Sequence, residues 1–339
     1  MKFEIPSRYL DERLITRKKH PTHDLWIYNY TAEVQFSRLW DEVTLACRGL
    51  ILNSENEIIA RPPAKFFNYG EPDVVIPKGK FTITEKADGS LLILTRYKGE
   101  LIFATRGSFE SEQVIEAQKI WKERRYDRKG WLFKEGYTYL FEIIYPENRI
   151  VVNYGNLRKL IGISWCNNEM GNFFNFPVGH GFPVVKSVKF KNIENLLHKL
   201  HDKIWHNKEG YVLRFEDGTH IKAKYDEYIR LHKIVTNLGE LSVWELLCNN
   251  ADSDIENIPD EFHDWFKIIK AQFTFRFSEI KSEALQNYND IAQMKLQTRK
   301  EIAQEVLKCN NPSLIFSLID GKDIEKAIWK MLRPTNINN

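Results

Sequence analysis

Lys86 stands directly before Ala87-Asp88-Gly89-Ser90, and Asp88-Gly89 is a tight-turn signal between two apolar stretches. A lysine ammonium at its ordinary pKa of ~10.4 cannot attack an electrophile at neutral pH. Nearby cations disfavour that charge and release the amine. Ile221-Lys222-Ala223-Lys224 offers two such cations, which alternate onto one strand face and also suit phosphate. Two carboxylates complete the set: Glu142 inside the apolar run Tyr139-Leu140-Phe141-Glu142-Ile143-Ile144, and Glu209 at the start of Glu209-Gly210-Tyr211-Val212. Carboxylates bind hard cations such as Mg²⁺ directly or through retained water, and the cation then neutralises charge on a phosphorus centre. Taken singly, a surface turn lysine, a structural ion pair, a turn-flanking carboxylate and a solvated strand face are the better accounts. Together the four stretches describe one pocket for nucleotidyl transfer through a lysine-linked nucleotide.

The elements that must position these residues are mostly strands. Phe81–Glu85, Leu91–Tyr97, Leu101–Thr105, Thr138–Ile144, Lys159–Trp165, Tyr211–Phe215 and His220–Lys224 are rich in β-branched and apolar residues. Helices are expected from a Ser108 cap to about Arg124, over Ile193–His201, and from Asp226 to about Asn237, with Gly239 as the stop. Beyond that point apolar residues recur three and four apart in Leu241–Leu247, Phe262–Ile280, Ile291–Leu307 and Ile324–Leu332. Breaks are expected at Asn249–Pro259, near Asn287–Asp290, at Asn310–Pro312 and near Gly321, and the Asn-rich end is expected to fray.

Composition supports two domains. The chain has 339 residues, 43% hydrophobic and 28% charged, which excludes disorder throughout. Residues 1–240 hold 37 Lys and Arg against 31 Asp and Glu, whereas residues 241–339 hold 12 against 15, and 16 of the 17 glycines fall at or before Gly239. An α+β domain over 1–240 followed by an all-α domain over 241–339 is the expected division. The modest basic excess of the first part fits a polyanionic partner and equally a solvated surface. No run reaches membrane-span length, no secretory leader is legible, and Cys47, Cys166, Cys248 and Cys309 form no metal or disulfide pattern. A reducing, cytoplasmic compartment is the expectation. His198 and His201 form an isolated His-x-x-His on a helix, more simply read as a surface pair.

The order and spacing of Lys86-Ala87-Asp88-Gly89, Phe141-Glu142, Glu209-Gly210 and Lys222-Ala223-Lys224 resemble the covalent nucleotidyltransferase superfamily of ATP-dependent ligases and mRNA capping enzymes. Within it the chain is similar to the T-even phage RNA ligase 1 family. That likeness is carried by Cys47-Arg48-Gly49-Leu50, by Arg61-Pro62-Pro63-Ala64-Lys65-Phe66-Phe67-Asn68, by Thr105-Arg106-Gly107-Ser108 and by Phe141 through Val151. Ser90 after Asp-Gly also fits RNA ligases, and the resemblance covers about residues 35–235. Two departures are Ala87, where that family often has glutamate, and Arg106, where it has lysine.

The resemblance implies an ATP-grasp-like nucleotidyltransferase domain of antiparallel sheets with flanking helices. It implies an ATP-dependent RNA ligase that uses Mg²⁺ or Mn²⁺ and joins RNA 3′-hydroxyl and 5′-phosphate ends. Lys86 would carry AMP, and Asp88 would lie by the ribose and the metal. Glu142 and Glu209 would support the metal. Lys222 and Lys224 would hold the α-phosphate. Arg48 and Lys65 would meet the triphosphate or the RNA end, and Glu85, Val212 and Tyr228 would complete the ATP site. Cleaved transfer RNA, a separate end-healing kinase or phosphatase, and a phage-encoded chain acting in a host cytoplasm are further implications. A DNA ligase or capping-type enzyme shares the first step but usually adds an OB-fold barrel, where this sequence reads as helical. A non-catalytic RNA-binding relative is the rival of another class, and the intact pocket residues argue against it.

Overall fold

The computed structural model describes residues 1–71, 74–126, 128, 132–178, 181–202, 204, 206–236, 239–249 and 262–334. The chain divides into two compact units, Met1–Val235 and Thr236–Asn339.

The first unit is α+β and contains three sheets. The N-terminal sheet is an antiparallel meander of β1 (Ile15–Lys19), β2 (Leu25–Tyr30), β3 (Arg48–Asn53) and β4 (Ile58–Ala60). Three short helices, α1 (Arg8–Asp11), α2 (Ala32–Ser37) and α3 (Glu42–Ala46), accompany it. β1 does not stand out in the sequence, because it buries one residue and exposes four; β2 and β3 are mostly apolar and buried, and sequence reading missed them.

The second sheet has the order β12-β6-β13-β14-β5, from β5 (Phe67–Asn68), β6 (Phe81–Lys86), β12 (Ser187–Val188), β13 (Gly210–Phe215) and β14 (His220–Lys224). Its pairings are antiparallel except β14 with β5, which is parallel, so the expectation of purely antiparallel sheets needs that amendment. The third sheet runs β11-β10-β9-β7-β8, from β7 (Ser90–Tyr97), β8 (Glu100–Ala104), β9 (Tyr137–Ile144), β10 (Lys159–Asn167) and β11 (Phe173–Asn175).

Asp88-Gly89 does not close a hairpin, because β6 and β7 lie in different sheets. The turn instead carries the chain from one sheet to the other. Gly89 is needed there: a Cβ would sit 2.5 Å from the Ile143 carbonyl oxygen and 3.1 Å from Glu142 Cγ. The close passage holds the Lys86 turn against the strand that carries Glu142.

Strand alternation gives the second sheet two unlike faces. Ile83, Tyr211, Leu213, Phe215, Ile221 and Ala223 point into a core with Val151, Val152 and helix α5 (Ile193–Leu200). The opposite face carries the register rows Lys86–Gly210–Lys224, Thr84–Val212–Lys222 and Thr82–Arg214–His220. In the third sheet, Leu92, Leu94, Tyr139, Phe141 and Ile143 pack on helix α4 (Glu112–Glu123). That helix starts later than expected. Ser111, not Ser108, is its cap, accepting from the Val114 N–H, while the Ser108 carbonyl accepts from Thr105 in a preceding turn. Helix α6 (Asp226–Val235) closes the unit.

The second unit's described elements are all helices: α7 (Glu240–Cys248), α8 (His263–Gln293), α9 (Arg299–Val306), α10 (Pro312–Ile319) and α11 (Glu325–Met331). The expected break near Asn287–Asp290 is absent. Asn289 and Asp290 lie on the exposed face of α8 between buried Ala284 and Ile291, so the helix runs on for 31 residues. The break falls at Thr298, whose capping box with Glu301 starts α9. Within the unit Phe277 stacks on Trp329 at 4.7 Å, and Trp244 Nε1 donates to the Trp329 carbonyl. Residues 250–259 of the expected break, Asn237 and the Asn-rich end 335–339 lie outside the described residues.

Candidate active site

A cavity of about 490 Å³ lies between the second and third sheets. That volume lies in the range of small-ligand sites. Its floor is the polar face of β6, β13 and β14, and Leu140, Glu142, Ile163 and Ser164 line it from β9 and β10. Cationic side chains predominate in the lining, with Arg48, Lys86, Arg106, Arg214, Lys222 and Lys224 against Glu85 and Glu142. Such a lining favours a polyanion.

Lys86 ends β6 at the cavity edge, its side chain about one quarter exposed. Its Nζ donates to Glu209 Oε2 at 2.8 Å, while Lys224 Nζ lies 3.3 Å from Glu209 Oε1. One buried carboxylate therefore bridges two lysines across the Lys86–Gly210–Lys224 row. Gly210 makes the row possible. Its φ is +151°, and a Cβ would meet the Ala223 carbonyl oxygen at 2.1 Å and Lys224 Cα at 2.7 Å.

The charge balance at Lys86 is the reverse of the expected one. Burial lowers its pKa, but Glu209, Glu142 and Asp88 outweigh burial and hold the ammonium above its usual range. Lys86 is a protonated, ion-paired lysine. The field of Lys222 and Lys224 does not release the amine in this state.

Glu142 lies on β9 beside Leu91 and Ile161, is 7% exposed and accepts from the Gly89 backbone N–H. Burial pushes its carboxyl up to about 8; Lys86 opposes this, and Glu209 and Asp88 add to it. A carboxylate that is costly to ionise yet lines a cavity fits a divalent cation, which would offset its charge. Glu209 fits less directly, since each of its oxygens already faces a lysine. Among the described residues no three His, Cys, Asp or Glu side chains converge as a ready-made metal site.

Asp88 and Tyr228 lie outside the cavity lining. Asp88 is 3% exposed and does not line the cavity. Its Oδ2 accepts the Val151 and Val152 N–H groups at 2.9 and 2.8 Å, and its Oδ1 accepts the Tyr228 hydroxyl at 2.8 Å. Its own N–H donates to the Tyr154 hydroxyl at 2.9 Å. The aspartate thus clamps the peptide after Lys86 onto the 151–152 segment and α6. Tyr228, 1% exposed, belongs to that clamp and not to the cavity lining.

The remaining expected residues divide. Arg48 lines the cavity with its Cζ 5.3 Å from the Phe66 ring, and Lys222 Nζ lies at the same distance from that ring. Val212 lies on the floor between Thr84 and Lys222. Glu85 borders the cavity, but its carboxylate pairs with Lys208. Lys65 is not in the lining of this cavity. It is 6% exposed, with its Nζ 5.5 to 5.7 Å from the Tyr30, Trp40 and Phe67 rings. Arg106 Nη1 donates to the Tyr30 hydroxyl at 3.1 Å.

Sequence reading missed Arg214. It is 8% exposed and lines the cavity, held by Asn175 Oδ1 at 2.6 Å and Thr84 Oγ1 at 3.2 Å. Burial alone lowers its pKa to about 10. Period-two alternation from Val212 was the available signal. His198 and His201 do not act as a pair: His201 Nδ1 meets Asp226 Oδ2 at 2.8 Å.

The fold and cavity define a class: an α+β unit with an ion-paired lysine at the edge of a basic cleft. The RNA ligase family of the T4 RNA ligase 1 type matches residues 46–234, more than half of the chain, and the chain belongs to that family. Among curated relatives, a bifunctional polynucleotide kinase/RNA ligase by name, from Autographa californica nuclear polyhedrosis virus, is 28% identical over 253 residues. That match covers 66% of this chain and 35% of the viral protein. An RNA ligase of Rhodothermus phage RM378 is 25% identical over 313 residues, covering 70% of each chain. The chain thus spans about a third of one relative and about two thirds of the other. A solved Naegleria gruberi RNA ligase with ATP and Mn aligns at 16% identity and TM-score 0.38, over 45% of this chain and 52% of that one. Among the described residues no helix is long and apolar enough to cross a membrane.

Proposed function

We propose that the chain is an ATP-dependent RNA ligase working through a lysine–AMP intermediate on Lys86. The observation that carries this reading is the placement of Lys86 at the edge of a basic, nucleotide-sized cavity, in one register row with Lys224 and joined to it through the Glu209 carboxylate. Lys86 Nζ, once deprotonated, forms a bond to the α-phosphorus of ATP as the bond to pyrophosphate breaks. AMP then passes to an RNA 5′-phosphate, forming a pyrophosphate link and freeing the lysine. A 3′-hydroxyl loses its proton, bonds to that RNA phosphorus and expels AMP.

In this reading Lys222 and Lys224 hold the α-phosphate, and Arg48 meets the outer phosphates. Val212 packs under the adenine and Glu85 borders the base. Glu142 is the principal acid toward Mg²⁺ or Mn²⁺, with Glu209 released to it as its lysines engage phosphate. The cation, when bound, neutralises charge on the phosphates. Asp88 and Tyr228 position Lys86 without touching the ligand.

Unit Thr236–Asn339 is proposed to select the RNA, with exposed Lys295, Arg299 and Lys300 at the α8–α9 turn as its basic patch. Cleaved transfer RNA is the substrate the family resemblance favours, with ends prepared by a separate kinase or phosphatase and the cytoplasm as the compartment. A DNA ligase or capping-type enzyme is the less favoured reading, since the described elements after α6 are helices and not a barrel.

The test is incubation with ATP labelled at either phosphate, followed by denaturing electrophoresis. The α-label should stay on the protein and the γ-label should not. Lys86→Ala should carry no label while its circular dichroism matches the wild type. Labelling of that variant would place the nucleophile elsewhere.

A further inference from the structure

We propose that a second cavity beside the first holds the 3′-terminal nucleoside of the RNA strand whose hydroxyl attacks; this rests on the ligase reading above. The cavity measures about 520 Å³, ample for one nucleoside. The 61–67 segment, β11 and the β13–β14 turn supply most of its walls. Joining needs two ends side by side, and the first cavity accounts for one nucleotide only.

The two cavities share a wall of Pro63, Phe66 and His220. Phe66 has Arg48 and Lys222 near its ring and His220 packed on it at 5.5 Å. His220 in turn meets the edge of Phe173 at 5.6 Å. Arg48 and Lys222 each lie 5.3 Å from the Phe66 ring, so a sugar at the rim of this wall would border the cationic groups of the first cavity, the neighbourhood from which a hydroxyl can be brought into line.

The lining has the chemistry of a single-strand site. Phe3, Phe66, Phe67 and Phe173 offer aromatic surface, on which any base can stack. Arg61 gives the sharper signal. Its guanidinium makes one side-chain hydrogen bond, from Nη2 to the Met1 sulfur at 3.1 Å, and among the described residues no carboxylate meets it. An arginine with donors to spare at an aromatic cavity suits the phosphate of a terminal nucleotide. Asp217, its Oδ1 accepting from the Thr219 N–H at 2.8 Å, adds an acceptor for a ribose hydroxyl.

The test uses the full chain, a pre-adenylylated donor strand and a 3′-hydroxyl acceptor strand at fixed salt, because phosphate contacts make affinity salt-dependent. Arg61→Ala and the milder Phe173→Leu should each raise the acceptor KM by about tenfold, leaving lysine–AMP formation from α-labelled ATP within about twofold of wild type. An acceptor carrying 4-thiouridine at its 3′ terminus should photocrosslink to peptides containing Phe66 or Phe173. An unchanged acceptor KM in both variants, or a crosslink outside the cavity, overturns the assignment. Loss of lysine–AMP formation in folded variants also overturns it, because the cavity would then serve ATP. A wild-type chain that forms no lysine–AMP overturns the ligase reading itself, and that outcome is read in a separate lane.

Discussion

Replacing Glu142 by glutamine should stabilise the ligand-free fold at alkaline pH. Glu142 is 7% exposed, and burial first, with Glu209 and Asp88 adding, pushes its carboxyl from 4.5 up to about 8 against the pull of Lys86. A carboxyl whose folded pKa lies above its unfolded value binds its proton more tightly when folded. Stability therefore falls as pH rises from 4.5 through about 8, and the full cost persists above that. At ~1.36 kcal/mol per pH unit the displacement corresponds to about 5 kcal/mol as an upper bound. Relaxation of water and of Lys86 around the ion brings the expectation to about 2–4 kcal/mol. Glutamine keeps the shape and has no proton to lose. In urea denaturation without divalent cations, the variant's advantage over wild type should thus grow between about pH 5 and pH 9. Added Mg²⁺ should stabilise the wild type more than the variant at pH 9, by preferential binding to the folded state. Lysine–AMP formation should fall in the variant. A pH-independent stability difference, or a variant less stable at pH 9, would show that the fold already compensates the Glu142 charge.

Other perturbations follow from the same geometry. Gly210→Ala places a Cβ 2.1 Å from the Ala223 carbonyl oxygen, which cannot yield without parting β13 from β14. Strain and overpacking together should cost about 2–5 kcal/mol, read as a lower urea midpoint, with loss of the adduct. Tyr228→Phe removes the donor to Asp88 Oδ1 and should cost about 1–3 kcal/mol. Its labelling at saturating ATP should stay within about tenfold of wild type, and a larger loss at unchanged stability would return Tyr228 to the nucleotide. A chain ending at Val235 should still form lysine–AMP, since every residue assigned to the cavity precedes it. Its ratio of ligation rates on a broken stem-loop and an unstructured strand should change, and an unchanged ratio would remove the helical unit from substrate choice.

Part of this site was legible in the sequence for plain physical reasons. β6, β7, β9 and β13 are runs rich in apolar and β-branched residues bounded by turn residues, and Lys222 and Lys224 of β14 share a face because strands have period two. The same rule, carried two residues beyond Val212, would have found Arg214. The placement of Asp88 was out of reach. Whether its carboxylate turns toward a ligand or toward the Val151 and Val152 amides depends on chain some 63 residues away, which local pattern does not report. In the N-terminal sheet β1 was equally hidden, because it reads Ile-Thr-Arg-Lys-Lys and shows a single buried residue, whereas the apolar runs of β2 and β3 were legible and were missed. The run-on of α8 past Asn287–Asp290 has the opposite cause. Polar residues on the wet side of a long helix imitate a loop until the buried face is known.

The reversed charge balance at Lys86 bears on how a lysine proposed as the nucleophile is kept. The sequence shows two lysines near a third and suggests that cations free the amine. The structure interposes Glu209, which is 3% exposed and bonded to Lys86 on one oxygen and near Lys224 on the other. Three buried acids then outweigh burial and hold Lys86 charged. Such an arrangement suits the ligand-free state, because an uncompensated carboxylate pair in this cavity would be more costly than an ion pair. It also sets a condition for reactivity. Whatever draws Glu209 and Glu142 away electrostatically removes the main support of the ammonium, and Lys224 loses its Glu209 partner. On the proposed reading, the groups that stabilise the empty cavity are therefore the same groups whose re-pairing releases the nucleophile. Glu209 then contributes by leaving Lys86 as much as by any bond it forms afterwards.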